Sequence, residues 1–156
     1  MLLALFQPDI PQNLGAALRL GACMGVGVEV VEPCGFPLSD RAIARAAMDY
    51  GRLAQVTRHS GWTEFRRTRL SGGARLVLFT TRGATPLHDF SFRRDDILLM
   101  GRESAGVPED VHDAADARVI IPLAPGARSL NVTVSAAIGL AEALRQTGQF
   151  PNPAPA

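Results

Sequence analysis

Short apolar runs recur along this chain, and each stops at a proline, a glycine or a polar turn. They are Leu2–Phe6, Val28–Val31, Arg75–Thr80, Asp96–Met100 and Val119–Ile121. A strand with no alternating polar face is buried on both sides, as in a parallel sheet covered by helices. Helical segments lie between these runs. One is predicted from about Asn13 to Met24, where Leu14, Ala17, Leu18, Gly21 and Ala22 recur at helical spacing and Asn13 sits at the N-cap position. Others are predicted over Asp40–Asp49, Thr63–Leu70, Pro108–Ala114 and Val132–Gln146, with a short strand at Leu53–Thr57. Strands that alternate with helices define an α/β fold with a mainly parallel sheet flanked by helices. The last helix carries Leu130, Val134, Ala137, Ile138, Ala141 and Leu144 on one face. A second face is small: Ser135, Ala136, Gly139 and Ala143. The small face suits close helix packing, including packing between subunits, or simply reflects the helix propensity of alanine.

A length of 156 residues fits one domain with a full core. No apolar run approaches the roughly 18–20 residues of a membrane span. The first residues, Met1 to Phe6, have no positive n-region and meet Gln7-Pro8-Asp9 too soon for a signal peptide. Cys23 and Cys34 have no CxxC spacing, so a reduced, cytoplasmic protein is expected. The net charge of +1 hides an asymmetry: all 16 basic residues are arginine. Seven of them lie between Arg41 and Arg69 against Asp49 and Glu64, so that segment is +5 and the remainder −4. Arginine grips phosphate with a planar two-pronged donor set, and such a segment suits RNA or DNA contact.

Three segments share one design, in which glycine and small polar residues lead into a helix. The first is Asn13-Leu-Gly15-Ala-Ala-Leu-Arg19. The second is Leu99-Met-Gly101-Arg-Glu103-Ser-Ala-Gly106, where a buried strand runs into a turn that carries a carboxylate. The third runs from Arg118 through Ile121, Pro122, Leu123, Pro125 and Gly126 to Ser129, Leu130 and Asn131, where the last helix starts. Strand ends and helix starts of this kind expose backbone amides to ligands. GxGxxG, GxxxxGK[ST] and GxSxG are all absent, and His59, His88 and His112 lack metal-ligand spacing, so no metal site is expected.

Together these segments resemble the SPOUT superfamily of RNA methyltransferases. Asn13-x-Gly15-x-x-x-Arg19 is similar to its first motif and Leu99-Met-Gly101-x-Glu103-x-x-Gly106 to its second. Ile120-Ile121-Pro122 with Ser129-Leu130-Asn131-Val132 is similar to its third. Within the superfamily the chain most resembles the minimal tRNA (cytidine/uridine-34-2′-O)-methyltransferases. Supporting stretches are Pro8-x-Ile10-Pro11-x-Asn13, Glu32-Pro33-x-Gly35-Phe36, Ala46-x-x-Asp49-Tyr50, Val56-Thr57-Arg58-His59 and Thr80-Thr81-x-Gly83.

The resemblance implies one domain over residues 1–148, a C-terminal deep trefoil knot, a disordered tail at 149–156 and a homodimer. It implies S-adenosylmethionine as cofactor, bound by Phe79, Thr80, Gly101, Ile121, Leu123, Ser129 and Leu130. Arg19, Asn13, Glu103 and Asn131 become the catalytic set. The substrate implied is the anticodon region of tRNA, with Arg41, Arg45 and Arg66 as its contacts. The alternatives are 2′-O-methylation of ribosomal RNA or of another tRNA position, or a non-catalytic knotted RNA-binding dimer. Three departures from the family stand out: Ala141 where many relatives carry tyrosine, Asn131-Val-Thr-Val134 at the helix start, and Arg82 in place of lysine.

Overall fold

A computed structural model describes residues 1–39, 41, 43, 55–82 and 85–152. Arg45 and most of the expected helix over 40–49 lie outside the described residues. So do Ala46, Asp49 and Tyr50, the start of the expected strand at 53–57, Gly83, and the end of the tail.

Seven parallel strands form one sheet among the described residues. They are β1 (Leu2–Phe6), β2 (Gly27–Val31), β3 (Val56–His59), β4 (Leu76–Phe79), β5 (Thr85–Pro86), β6 (Ile97–Met100) and β7 (Ala117–Ile120). The order across the sheet is β3-β2-β1-β6-β4-β7-β5. The central strands β1, β4 and β6 are buried on both sides, as their unbroken apolar sequences require. β7 lies between β4 and β5, two strands that follow one another in sequence. The short β5 has no apolar run to mark it, and no local pattern signals it.

Among the described residues four α-helices cover the sheet: α1 (Pro11–Met24), α2 (Trp62–Phe65, continued by a π-helical turn at Arg66–Leu70), α3 (Glu109–Asp113) and α4 (Val132–Thr147). One core layer joins Leu14, Ala17 and Leu18 of α1 and Leu140 and Leu144 of α4 to Leu3, Val28, Leu98 and Val119. The opposite layer packs Phe65 and Val111 on Leu76, Leu78, Ile97 and Leu99.

One expectation about the helices needs correction. α1 begins at Pro11 rather than near Asn13, and its N-cap is Ile10 in extended conformation. Proline suits a first helical position, because its fixed φ fits and its missing N–H would be unpaired there anyway. Asn13 is thus inside the first turn, and its side chain is released from capping. In α4 the small face goes inward: Ala136, Gly139 and Ala143 are buried with Leu140 and Leu144. Val134 and Ile138, on the larger apolar face, stay 47% and 39% exposed. The reason lies at Gly139, where a Cβ would meet the Phe79 ring at 2.3 Å. The helix approaches β4 so closely that only the small face fits against it.

Candidate active site

The carboxyl ends of β4, β6 and β7 open into a cleft of about 860 Å³. Its walls are the turns after Phe79 and Met100 and the connection from Ile120 to Asn131. Ligands of open parallel sheets sit at this end of the strands. Ten residues predicted from the sequence line the cleft: Asn13, Phe79, Thr80, Gly101, Glu103, Ile121, Leu123, Ser129, Leu130 and Asn131. Three described ones do not. Arg19 is exposed on α1, six residues beyond Asn13; at ~100° and ~1.5 Å per residue it points away from Asn13, about 9 Å along the axis. Arg41 is exposed elsewhere and Arg66 lines a different cleft. Arg45 is outside the described residues.

The turn after β6 is a closed loop. Arg102 and Gly106 exchange two backbone hydrogen bonds of 2.9 Å, and Gly106 has φ +67°. Gly101 lies against this closure, so a Cβ there would be 2.7 Å from the Gly106 carbonyl carbon. The Arg102 guanidinium lies 5.8 Å from the Phe6 ring centroid, which ties the loop to β1. The glycine spacing Gly101-x-Glu103-x-x-Gly106 is therefore a geometric need: one glycine for close approach and one for a left-handed backbone.

Glu103 starts a directed chain of hydrogen bonds from the turn after β6, through the first turn of α1, to the start of α4. Its Oε2 accepts from the Asp9 backbone N–H and its Oε1 from Asn13 Nδ2, both at 2.9 Å. A carboxylate accepts only, so the Asn13 amide must turn its NH₂ towards Glu103. Asn13 Oδ1 then faces Asn131 and accepts from Asn131 Nδ2 at 2.9 Å. Asn131 Oδ1 is left to cap α4, accepting from the backbone of Thr133 at 2.8 Å and Val134 at 3.2 Å. Thr133 Oγ1 donates to the Asn13 carbonyl at 3.0 Å. Asn131 thus serves as helix cap and site residue at once, and Glu103 sets the orientation of every amide in the chain.

Asp9 is a further member, absent from the residues predicted by sequence. The Ser104 hydroxyl donates to Asp9 Oδ2. Its contacts with Glu103 and Ser104, whose backbone N–H groups donate to it along with the Ser104 hydroxyl, hold the Asp9 carboxyl down at about 2, against 3.8 for a free aspartate. The folded state favours the ionised form. Its stabilisation is present above the unfolded pKa of 3.8 and is lost as pH falls towards 2. Urea midpoints of the parent protein and Asp9→Asn should therefore differ near pH 5, and the gap should narrow to about a third of that by pH ~2.5. A constant gap would exclude this role. The signal for Asp9 was its place in Pro8-Asp9-Ile10-Pro11, but its partners Glu103 and Ser104 lie 94 and 95 positions away and cannot be seen locally.

Arg82 also lines the cleft and pairs with Glu109 at 3.4 Å. Ligand atoms of Glu109, His112 and Asp113 come within 4.8 Å of one another, a grouping that the separated histidines do not suggest. Arg118 Nε donates to His112 Nδ1 at 3.2 Å, which engages that imidazole nitrogen. Cys23 and Cys34 are free thiols, and burial pushes Cys34 up to about 11, so it stays protonated and unreactive. No helix among the described residues is long and apolar enough to cross a membrane.

The sequence profile of the SpoU rRNA Methylase family matches residues 1–141. The chain belongs to this family. Among SpoU relatives, the tRNA (cytidine(34)-2′-O)-methyltransferase of Beijerinckia indica subsp. indica is 60% identical over 147 residues, which cover 94% of this chain and 92% of that protein. A solved structure described as giving structural insights into the 2-OH methylation of C/U34 on tRNA superposes with a TM-score of 0.85. It is 37% identical, and the match covers 92% of this chain and 93% of that one. An AdoMet-bound rRNA methyltransferase from Sinorhizobium meliloti superposes with a TM-score of 0.81 at 30% identity, covering 92% of this chain and 55% of that one. In this SpoU protein Asn13, the turn after Met100 and the connection from Ile120 to Asn131 meet at one cleft.

Proposed function

We propose that this chain transfers a methyl group from S-adenosylmethionine to the ribose 2′-hydroxyl of nucleotide 34, a cytidine or uridine, in tRNA. The observation that carries this reading is the Glu103–Asn13–Asn131 chain, which ties the turn after β6, the start of α1 and the start of α4 around one cleft. A relative named for that reaction is 60% identical over 94% of this chain.

The cleft fits the cofactor. Its volume of about 860 Å³ lies within the ~300–1,000 Å³ typical of small-molecule sites. Phe79, Ile121 and Leu130 supply apolar walls, while the turns at Thr80, Gly101 and Leu123 offer backbone groups for a purine edge. When bound, S-adenosylmethionine supplies an electrophilic methyl group. The protein aligns the hydroxyl with it, and alignment alone removes much of the barrier to an in-line displacement. Glu103, through Asn13, fixes the floor on which the ribose rests. Ser129 and Asn131 present polar groups at the start of α4.

Arg19 does not reach this cleft within one chain, so its proposed role requires a second copy. The exposed stripe Gln12, Ala16, Arg19 and Cys23 of α1 lies beside α4, whose Val134 and Ile138 are uncovered. An apolar patch of this kind suits a homodimer, in which Arg19 of one copy enters the cleft of the other. There it orients the hydroxyl and an adjacent phosphate, which together ease loss of the hydroxyl proton to solvent as the thioether leaves; a guanidinium keeps its proton and cannot be the base. Arg19→Lys keeps the charge but loses the two-pronged geometry. It should lower kcat by about tenfold or more, some 1.4 kcal/mol in barrier, while S-adenosylmethionine affinity stays within twofold. Near-full activity would remove this role.

We take residues 1–148 as one methyltransferase domain with a knotted C-terminal part. The insertion of β7 between β4 and β5 supports the knot. Arg41 and Arg45 remain proposed tRNA contacts, and we assign the protein to the cytoplasm with its substrate. The deciding experiment incubates the purified protein with methyl-labelled S-adenosylmethionine and unmodified tRNA, then maps the product by nuclease digestion and mass spectrometry. A 2′-O-methyl group at position 34 is expected. Label at another tRNA position, or in ribosomal RNA alone, would replace this reading.

A further inference from the structure

A second cleft of about 660 Å³ opens at the opposite end of the sheet. Arg75 and Asp116 at its wall immediately precede β4 and β7, and Arg93 comes just before β6. These are the amino ends of the strands that carry the cofactor cleft at their carboxyl ends. The stretch from Arg75 to Thr80 spans about 17 Å at ~3.3 Å per residue. The two clefts are therefore separate sites.

The chemistry of this second cleft is that of an anion receptor. Arg66 and Arg67, on the π-helical turn, face it together with Arg93. All three side chains are exposed, and no hydrogen bond or ion pair engages them among the described residues. The fourth arginine, Arg75, differs. It forms a two-pronged pair with buried Asp96 at 2.8 and 2.7 Å and lies 5.0 Å from the Phe90 ring centroid. Its charge is compensated, and it acts as a fixed wall. Asp116 is the acidic lining residue, and its Oδ2 already accepts the Leu76 N–H at 2.7 Å. Thr63 and Ser71 add hydroxyl donors. Three guanidinium groups that no hydrogen bond or ion pair engages among the described residues surround one concavity lined by a single, engaged carboxylate. Glu64 acts on Arg67 only at longer range. Together the three groups match phosphodiester oxygens.

We infer that this cleft binds backbone phosphates of the RNA substrate, several nucleotides away from the one that is methylated. The inference rests on the proposed RNA methyltransferase reading and adds Arg67 and Arg93 to its contacts. It also gives Arg66 a place: a remote grip on the RNA body, not an approach to the reacting ribose. The body of a full-length tRNA reaches this grip, at the far end of the sheet from the methylated nucleotide, more readily than an isolated anticodon stem-loop does.

The test compares the parent protein with Arg67→Gln/Arg93→Gln on full-length unmodified tRNA and on an isolated anticodon stem-loop. KM for full-length tRNA should rise about tenfold near physiological salt, and the slope of log KM against log salt should become shallower by about 1.4–1.8 for two lost phosphate contacts. KM for the stem-loop and the affinity for S-adenosylmethionine should each change by less than twofold. Unchanged KM for full-length tRNA would overturn the proposal. So would an equal rise for both RNAs, which would put the cleft near the target nucleotide. Competition by millimolar inorganic phosphate without any effect on tRNA would reassign the cleft to a free anion. If the parent protein methylates no tRNA, the functional reading fails first. Filter retention of full-length tRNA by the two proteins then still decides the cleft: equal retention overturns it.

Discussion

Gly101→Ala is expected to lower the affinity for S-adenosylmethionine by about 100-fold or more, a loss of some 2.7 kcal/mol or greater. The added methyl would stand 2.7 Å from the carbonyl carbon, 2.8 Å from the Cα and 3.0 Å from the oxygen of Gly106. These are backbone atoms, and they cannot rotate aside as a flexible side chain would. The loop must open, which breaks the pair of hydrogen bonds between Arg102 and Gly106. Opening moves the wall of the cleft and carries Glu103 with it. Calorimetric titration with S-adenosylmethionine measures the loss, and a melting curve separates it from unfolding. Because Gly101 lies beyond the end of β6 and outside the core layers, the melting temperature should fall by only a few degrees, about 1 kcal/mol of stability. Affinity within threefold of the parent would mean that the loop yields more easily than its closure implies.

The second large effect concerns Glu103→Gln, which changes almost no volume. Glu103 accepts two hydrogen bonds, from the Asp9 backbone and from Asn13 Nδ2. Glutamine offers one oxygen and one NH₂, so one donor must face another donor. Asn13 could escape by turning over, but its NH₂ would then meet that of Asn131. Asn131 cannot follow, because its Oδ1 holds two backbone N–H groups at the start of α4. The conflict has no local solution. An unsatisfied donor of this kind costs ~1–3 kcal/mol, which corresponds to about 5- to 160-fold in kcat/KM. Steady-state methyl transfer reads it directly. Adding Asn13→Asp restores an acceptor towards the NH₂ of the introduced glutamine. The double variant should recover part of the loss if the chain is directional; no recovery would argue for a simple charge effect at Glu103.

Much of the architecture was legible in the chain. β1 and most of the other strands were readable because each is a short apolar run closed by a breaker, a pattern that burial on both faces demands. The C-terminal helix and the three motif loops were readable for similar local reasons. Other features resisted. The N-terminus of α1 was misplaced because Asn13 is a good cap by type, and local preference does not reveal that Glu103, 90 positions on, claims its side chain. Asp9 was missed for the same reason, since its partners Glu103 and Ser104 belong to another loop. Arg19 was grouped with the cleft by family motif, yet helix geometry turns it outwards.

The sequence by itself determined that the strands are buried on both faces, that the loops after Phe79, Met100 and Ile120 are built for close approach, and that small polar residues stand at helix starts. These follow from apolarity, chain stiffness and hydrogen-bonding capacity, which are properties of neighbouring residues. Only the tertiary structure decided which face of α4 is buried, that Glu103 orients Asn13 and Asn131, and that the basic residues divide between two ends of the sheet. Those outcomes depend on distances between residues far apart in sequence: the 2.3 Å that a Cβ at Gly139 would leave to Phe79, and hydrogen bonds that span 90 and 118 positions.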